Sequence, residues 1–166
     1  MYHRFWTFIN IVVISFSMIY IWFFRPHSSS LLVASQLFSQ IAIILFFINI
    51  NMYFIFLVIR KTTVRKVKIR LAKISRFLMK GHIKIALLGA LAITGHAAIN
   101  LSKFAPVIGF FHVKIITGYL AFTALLVTLF AGYLRHKRAS GFRRRFHLIS
   151  AMTFLVAFLL HMFTRV

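Results

Sequence analysis

KGHIKIALLGALAITGH, residues 80–96, and RFHLISAMTFLVAFLLH, residues 145–161, are two apolar stretches that share one arrangement of histidines. Each stretch begins with a basic residue, has a histidine two positions later, and has a second histidine fourteen positions after the first. Because an α-helix has 3.6 residues per turn, fourteen positions return to nearly the same face, about 21 Å further along the axis. The pattern therefore predicts two helices with two histidines on one face of each.

The rest of the chain is apolar in long blocks. Of its 166 residues 61% are hydrophobic, and 21 are Phe. Five blocks reach or approach the roughly 20 apolar residues that cross a bilayer core about 30 Å thick. They are residues 5–24, 31–59, 82–101, 112–134 and 146–164. We predict an all-α integral membrane protein with about five transmembrane helices, arranged as a four-helix bundle plus a flanking helix.

Three residue types that carry much of protein chemistry are missing: Cys, Asp and Glu. The chain has no Cys, which excludes disulfides, thiolate ligands to haem, iron–sulfur clusters and Cys-based zinc sites. It has no Asp or Glu, so carboxylates are not available for acid–base catalysis, proton relay or binding of calcium and magnesium. The segments between the blocks are short and contain no glycine-rich phosphate loop. Chemistry is therefore expected inside the helices or with partners.

The 21 Lys and Arg residues are distributed unevenly. Nine lie within residues 60–80 and six within 135–145, and few lie on the other connections. The positive-inside rule then predicts a cytoplasmic N-terminus and an external C-terminus. We expect the membrane to be the plasma membrane of a bacterium or archaeon. These cations favour anionic lipids as partners. Nucleic acid is not expected as a partner, because the cations lie between spans rather than on a separate face.

The basic segment divides the chain into three regions. Residues 1–59 form a two-span N-terminal hairpin, and residues 81–166 form a three-span unit that holds most of the histidines. Between them, residues 60–80 combine cations with apolar residues at partly helical spacing. We expect either an amphipathic helix on the inner leaflet or a solvated linker.

The third and fifth spans run in the same direction, so their histidines match in depth. A histidine inside a membrane normally faces the bundle interior and has a partner. Low-spin haem iron takes two neutral imidazoles from opposite sides. We therefore predict that His82 and His147 ligate an inner b-type haem and that His96 and His161 ligate an outer one. A lone intramembrane histidine would more simply serve helix packing.

Other residues are placed to support two haems. Gly89 lies midway between His82 and His96, where it leaves space for porphyrin, although small residues also serve ordinary helix packing. Lys80 and Arg145 precede the inner histidines and are candidates for binding haem propionates; the alternative is interfacial anchoring. We predict a possible outer substrate site from cationic and histidine side chains: His112, Lys114, Lys103 and Arg165.

These motifs resemble those of the transmembrane di-haem b-type cytochromes, and especially the ferric-reductase-like members of the cytochrome b superfamily. The resemblance rests on the basic residues before His82 and His147 and on the later His96 and His161, and it covers residues 78–165. It implies electron transport across the membrane by an oxidoreductase, from a quinone pool or a separate reductase. It also implies an acceptor at the outer face such as superoxide, a quinone or a ferric chelate. The catalytic residues remain unassigned.

Two other functions compete with this interpretation. The histidines of a non-redox transporter would bind a metal or relay protons, and an assembly or anchoring subunit would hold a membrane complex through its basic loops. Polar residues on the second span either bind a quinone headgroup or form bonds between helices. They are Ser35, Gln36, Ser39, Gln40, Asn49 and Asn51.

Overall fold

The computed structural model describes residues 2–24, 27–138 and 140–164, and within these ranges all regular structure is helical. The helices are α1 (Tyr2–Phe24), α2 (Ser30–Lys61), α3 (Arg65–Lys103), the one-turn α4 (Ala105–Ile108), α5 (Val113–Lys137) and α6 (Gly141–Phe163). The predicted all-α fold is confirmed.

Four of these helices, α2, α3, α5 and α6, are long and apolar enough to cross a membrane. The described apolar part of α1, Phe8–Phe24, is shorter. Large apolar side chains lie on the outside of the spans, as lipid-facing positions require; Leu91 of α3, for example, is 70% exposed. These helices support the assignment to an integral membrane protein, and the five predicted blocks correspond to α1, α2, α3, α5 and α6.

Helix α3 has 39 residues and includes most of the basic segment. At 1.5 Å per residue it is about 58 Å long, roughly twice the thickness of a bilayer core. Only Thr62–Val64 separate it from α2. Residues 65–80 contain Lys, Arg, Leu and Met and no Gly or Pro, and these residues favour a helix. Residues 65–80 are therefore helical, and this helix continues directly into the third span.

The second basic segment is also largely helical. Helix α5 extends to Lys137, and Ser140 caps α6 by accepting a hydrogen bond from the backbone N–H of Arg143. The Arg143 guanidinium donates to the carbonyl oxygens of Leu134, at 3.0 Å, and Arg138, at 3.4 Å. A cation near the C-terminal carbonyls of a helix interacts favourably with the helix dipole. Much of the positive charge within residues 135–145 therefore lies at the end of α5 and the start of α6.

The chain divides into two compact units, Met1–His96 and Ala97–Val166. In the first unit α1 packs on α2 through a reciprocal amide pair. Asn51 donates to the side-chain oxygen of Asn10 at 2.9 Å, and Asn10 donates back at 3.2 Å. Ile43 and Phe47 of α2 are almost fully buried and belong to the apolar core.

In the second unit α5 and α6 form an antiparallel hairpin and pack closely along their length. Its core contains Ala131 at 0% exposure and Phe154 at 3%. Phe154 lies seven positions from each histidine of α6. Ser150 is also buried, and its hydroxyl donates to the His147 carbonyl oxygen within the same helix. The side chains of α6 that face α5 therefore include this core as well as the histidines.

Candidate functional site

His147 and His161 lie against glycines of α5. A Cβ atom placed on Gly132 would be 3.3 Å from Cε1 of His147, and one placed on Gly118 would be 3.2 Å from Cε1 of His161. Both distances are tighter than an ordinary van der Waals contact. Gly118 and Gly132 are themselves fourteen residues apart. The histidine spacing on α6 is therefore matched by a glycine spacing on the antiparallel α5.

The hydrogen bonds in this hairpin define the tautomers of both histidines. Nδ1 of His147 lies 3.3 Å from the Thr128 carbonyl oxygen, which only accepts, so Nδ1 carries the proton. Nδ1 of His161 lies 3.2 Å from the Thr117 hydroxyl oxygen. That hydroxyl donates its proton to the Lys114 carbonyl oxygen at 3.0 Å, so it accepts from Nδ1. In the neutral form each imidazole then has its lone pair on Nε2.

The first unit has a comparable arrangement around α3. Nδ1 of His96 lies 3.0 Å from both the carbonyl oxygen and the hydroxyl oxygen of Ser35. Because the carbonyl only accepts, Nδ1 of His96 is a donor and the lone pair is on Nε2. Asn49, fourteen residues after Ser35, donates to the backbone carbonyl of His82 at 3.3 Å. Helix α2 therefore contacts both histidine positions of α3.

Gly89 and Gly95 are also on the surface of α3 that meets α2. A Cβ on Gly89 would lie 3.6 Å from Cβ of Leu45, an ordinary contact, and one on Gly95 would lie 3.2 Å from the Phe38 ring. Gly89 is buried, as expected for a residue on the same face as His82 and His96. Its observed contact is helix packing, and its predicted role beside a porphyrin stays a prediction.

The predicted outer site separates into residues with different contacts. The Lys114 ammonium donates to the C-terminal carbonyls of α6: those of Thr164 at 2.8 Å, Met162 at 3.5 Å, and His161. Lys114 therefore joins the N-terminal end of α5 to the C-terminal end of α6. Lys103 is exposed in the last turn of α3. Arg165 lies outside the described residues.

His112 is the N-cap of α5. Its Nδ1 accepts a hydrogen bond from the backbone N–H of Lys114 at 3.2 Å. A neutral imidazole that accepts at Nδ1 carries its proton on Nε2. In this position His112 has no Nε2 lone pair for a metal, and it differs in this respect from His96, His147 and His161. His112 therefore serves as a helix cap in this structure.

The cations next to the inner histidines lie on the surface. Lys80 and Arg145 are both exposed, as are Arg76 and Arg144. The Arg76 guanidinium donates to the Ala72 carbonyl oxygen at 3.4 Å in its own helix. Exposure is compatible with both predicted roles of Lys80 and Arg145, which are binding of propionates and interfacial anchoring.

Most of the polar residues on α2 form bonds within or between helices. Ser35, Asn49 and Asn51 bond to neighbouring helices as described above, and Ser39 donates to the Gln36 carbonyl of its own helix at 2.8 Å. Gln40 is 6% exposed, and its amide atoms have no hydrogen-bond partner within the described part of the chain. The contacts of the first three residues agree with the predicted helix-to-helix role.

The hydrogen-bond partners of the histidines were not predicted from the sequence. Ser35, Thr117, Gly118 and Gly132 lie on helices that contain no ligand candidate in the membrane. The sequence contained one signal for these partners, which is their spacing. Fourteen residues separate Gly118 from Gly132 and Ser35 from Asn49, as they separate the two histidines of each span. In an antiparallel helix pair, equal spacings bring both members of each set to the same two levels.

Comparison with known proteins gives no assignment, because the chain matches no protein-family model and no curated protein or solved structure with significant similarity. Across the described residues, no three His side chains are grouped so that they hold one metal ion. The functional argument therefore depends on the geometry of the individual histidines.

Proposed function

We propose that this protein is a membrane di-haem cytochrome b that carries electrons across the bilayer. The electrons would pass between a quinone or a separate reductase partner and an acceptor at the opposite face, of the superoxide, quinone or ferric-chelate class. His82 and His147 would hold one haem, and His96 and His161 the other. Such a haem would supply reversible one-electron chemistry to the protein.

The observation that carries the proposal is the hydrogen bonding at Nδ1. In His96, His147 and His161 the Nδ1–H group donates to a backbone carbonyl or to a hydroxyl that has already donated its own proton. Histidines that ligate metals usually donate the other ring N–H in this way, which fixes the tautomer and ring orientation. The chemistry of the donor set therefore fits a haem iron that would be held through Nε2.

The spacing of the histidines supports two haems rather than one. Fourteen residues of α-helix separate the two histidines of each span by about 21 Å. That distance is too great for both histidines of one helix to bind the same iron, so they would hold two different haems. Each helix is thus expected to contribute one ligand at each of two depths.

The chain's charge suits a haem protein of this type. Haem propionates are anions, and the chain has 21 Lys and Arg residues that could bind them. It has no Asp or Glu side chains that would compete with the propionates for these cations. Exposed Lys80 and Arg145 would bind propionates at one membrane face. Nearby cations also favour the reduced form of a haem, which is less positive, so we expect raised midpoint potentials.

The absorption spectrum of the purified protein tests the proposal. After expression with haem supplied, we expect sharp b-type bands on dithionite reduction and two haems per chain. His82→Ala and His161→Ala are each expected to remove one haem, and a different one in each case. His136→Ala is the matched control, since His136 lies in the last turn of α5 outside the ligand set, and it should retain both.

Three outcomes would contradict the proposal. A colourless protein would exclude the cytochrome and favour the alternatives, transport through His sites or an anchoring subunit. Loss of both haems from His112→Ala alone would overturn the ligand assignment. Very low potentials for both haems, below those of plant-type ferredoxins, would contradict the expected effect of the cations.

A further inference from the structure

A groove separates the second half of α2 from the basic half of α3, inside the first unit. Its volume is about 590 Å³, within the range of small-molecule sites. Most of its lining is apolar, with contributions from both helices: Phe54, Ile55 and Val58 of α2, and Leu71, Ile74 and Leu78 of α3. The groove is large enough and apolar enough to hold part of a hydrocarbon chain.

Two polar residues, Asn51 and Arg70, also line the groove. The Asn51 amide is engaged elsewhere, since it donates to the Phe47 carbonyl and to Asn10 and accepts from Asn10. Arg70 is exposed, and the chain has no carboxylate side chain with which it can pair. The polar group that the groove offers to a ligand is therefore a guanidinium, which binds phosphate with well-oriented hydrogen bonds.

The surroundings of Arg70 add to this preference for an anion. Eight further Lys or Arg residues lie between Arg60 and Lys80, and no acidic residue offsets them. Basic residues immediately next to a membrane span attract anionic headgroups. The groove begins among these cations and continues along Leu78 toward the apolar part of α3. Its ligand should accordingly have an anionic head and an apolar tail.

We infer that this groove binds one anionic phospholipid of the surrounding bilayer. The phosphate would contact Arg70, and an acyl chain would lie against the apolar side chains of α2 and α3. A neutral quinone would leave the guanidinium without an anion, and a free phosphate would leave the apolar lining exposed. The inference does not depend on haem, because all the lining residues lie apart from the four histidines.

Native mass spectrometry of the full chain in detergent tests this inference. The probes are phosphatidylglycerol and phosphatidylcholine with identical acyl chains. We expect the wild-type protein to retain one phosphatidylglycerol and to prefer it over phosphatidylcholine. Arg70→Gln should lower the affinity about tenfold, as expected for loss of a charge-assisted hydrogen bond.

Lys73→Gln is the matched control for Arg70. Lys73 is on the same helix and its loss changes the net charge equally, but it lies at a different concavity with Arg76, Phe77 and Lys80. We expect a change of less than about threefold, since only the diffuse field is reduced. If the two variants lose equal affinity for phosphatidylglycerol, the inference is overturned. The result would then indicate that the basic segment attracts anionic lipids in general.

A second pair of variants tests the apolar part without changing charge. Ile55→Trp places a bulky side chain in the groove, whereas Leu57→Trp places one on the exposed outer surface of α2. We expect only Ile55→Trp to displace the lipid, with the helical circular dichroism unchanged in both. Retention of phosphatidylglycerol by Ile55→Trp, or a preference for phosphatidylcholine or a quinone, would refute the site.

Discussion

The two helical hairpins, α2–α3 and α5–α6, hold their histidines by different means. In α5–α6 the contact positions on α5 are Gly118 and Gly132, and the helices approach closely enough for the imidazoles to touch them. In α2–α3 the positions with the same spacing are Ser35 and Asn49, whose side chains bond to α3. In α5–α6 glycines thus let both imidazoles approach the neighbouring helix, and in α2–α3 the positions with this spacing carry polar side chains instead.

The difference indicates which substitutions each hairpin tolerates. Where glycine permits contact between a helix backbone and a ring, any added carbon displaces the ring. Where a serine or asparagine bridges the helices, loss of the side chain removes a hydrogen bond and leaves space instead. Added volume at Gly118 or Gly132 is therefore expected to displace a histidine ring, whereas loss of the Ser35 or Asn49 side chain is expected to remove a hydrogen bond.

The largest effect is expected from filling the glycine contacts. In the double variant Gly118→Ala with Gly132→Ala, each Cβ comes within about 3.3 Å of an imidazole. We expect a loss of about 1–3 kcal/mol in the free energy of unfolding and reduced haem content. Denaturation in detergent, followed by circular dichroism, measures the first quantity.

The matched double variant is Gly89→Ala with Gly141→Ala. Gly89 has only an ordinary contact to Leu45, and Gly141 has no neighbour within 4 Å of the added carbon. Because Ala favours a helix over Gly, stability should be unchanged or slightly increased. If the two double variants change the free energy of unfolding equally, close packing at the glycines is not what distinguishes α5–α6 from α2–α3.

The next effect concerns the hydrogen bond at His161. Thr117→Val removes the hydroxyl that accepts from Nδ1, whereas Thr128→Val leaves the backbone carbonyl that serves His147. We expect Thr117→Val to weaken binding of one haem by about 10–100-fold, as for other partners of metal-bound histidines. Haem titration of the apoprotein measures this. An equal effect of Thr128→Val would argue against Nδ1 bonding as the cause.

A smaller effect is expected from Lys114→Met. Its ammonium donates to the last carbonyls of α6, and loss of a cation there should destabilise the hairpin by about 1–2 kcal/mol. Lys103→Met removes an exposed cation of the last turn of α3 and should cost no more than about 0.5 kcal/mol. Thermal unfolding of the two variants side by side separates the capping role of Lys114 from a general charge effect.

The smallest effect is expected from Ser35→Ala in the polar hairpin. The variant loses the hydroxyl contact to His96 but retains the Ser35 carbonyl, so haem affinity should fall by less than about tenfold. Ser39→Ala is the control, because that hydroxyl bonds only to its own helix at Gln36. A loss as large as that in Thr117→Val would contradict the expectation that the Ser35 carbonyl alone suffices to hold His96 through Nδ1.

Much of the fold follows from local sequence, and less of the site does. The apolar blocks and the histidine spacing each depend on residues within one helix, so they are readable without knowledge of neighbours. The contacts of Lys114 with the end of α6 and of Ser35 with His96 join residues 47 to 61 positions apart. No local pattern specifies such contacts.

The basic segments show that a cluster of Lys and Arg residues does not by itself reveal whether a segment is helical. Clusters of Lys and Arg between apolar blocks indicated connections and orientation, and residues 60–80 were compatible with either a helix or a linker. The structure extends α3 back to Arg65 because helix propensity depends on side-chain type and backbone entropy, not on apolar character. The long basic half of α3 and the groove beside it follow from that continuity.

The repeated histidines and the missing carboxylates were determined by the sequence itself, since composition and helical period need no tertiary information. The five apolar blocks were likewise determined, because bilayer thickness sets the length that a span requires. Only the tertiary structure decided which ring nitrogen of His96, His147 and His161 donates and which has the lone pair. The reason is physical: a tautomer depends on the acceptor that the neighbouring helix presents, and that acceptor is far away along the chain.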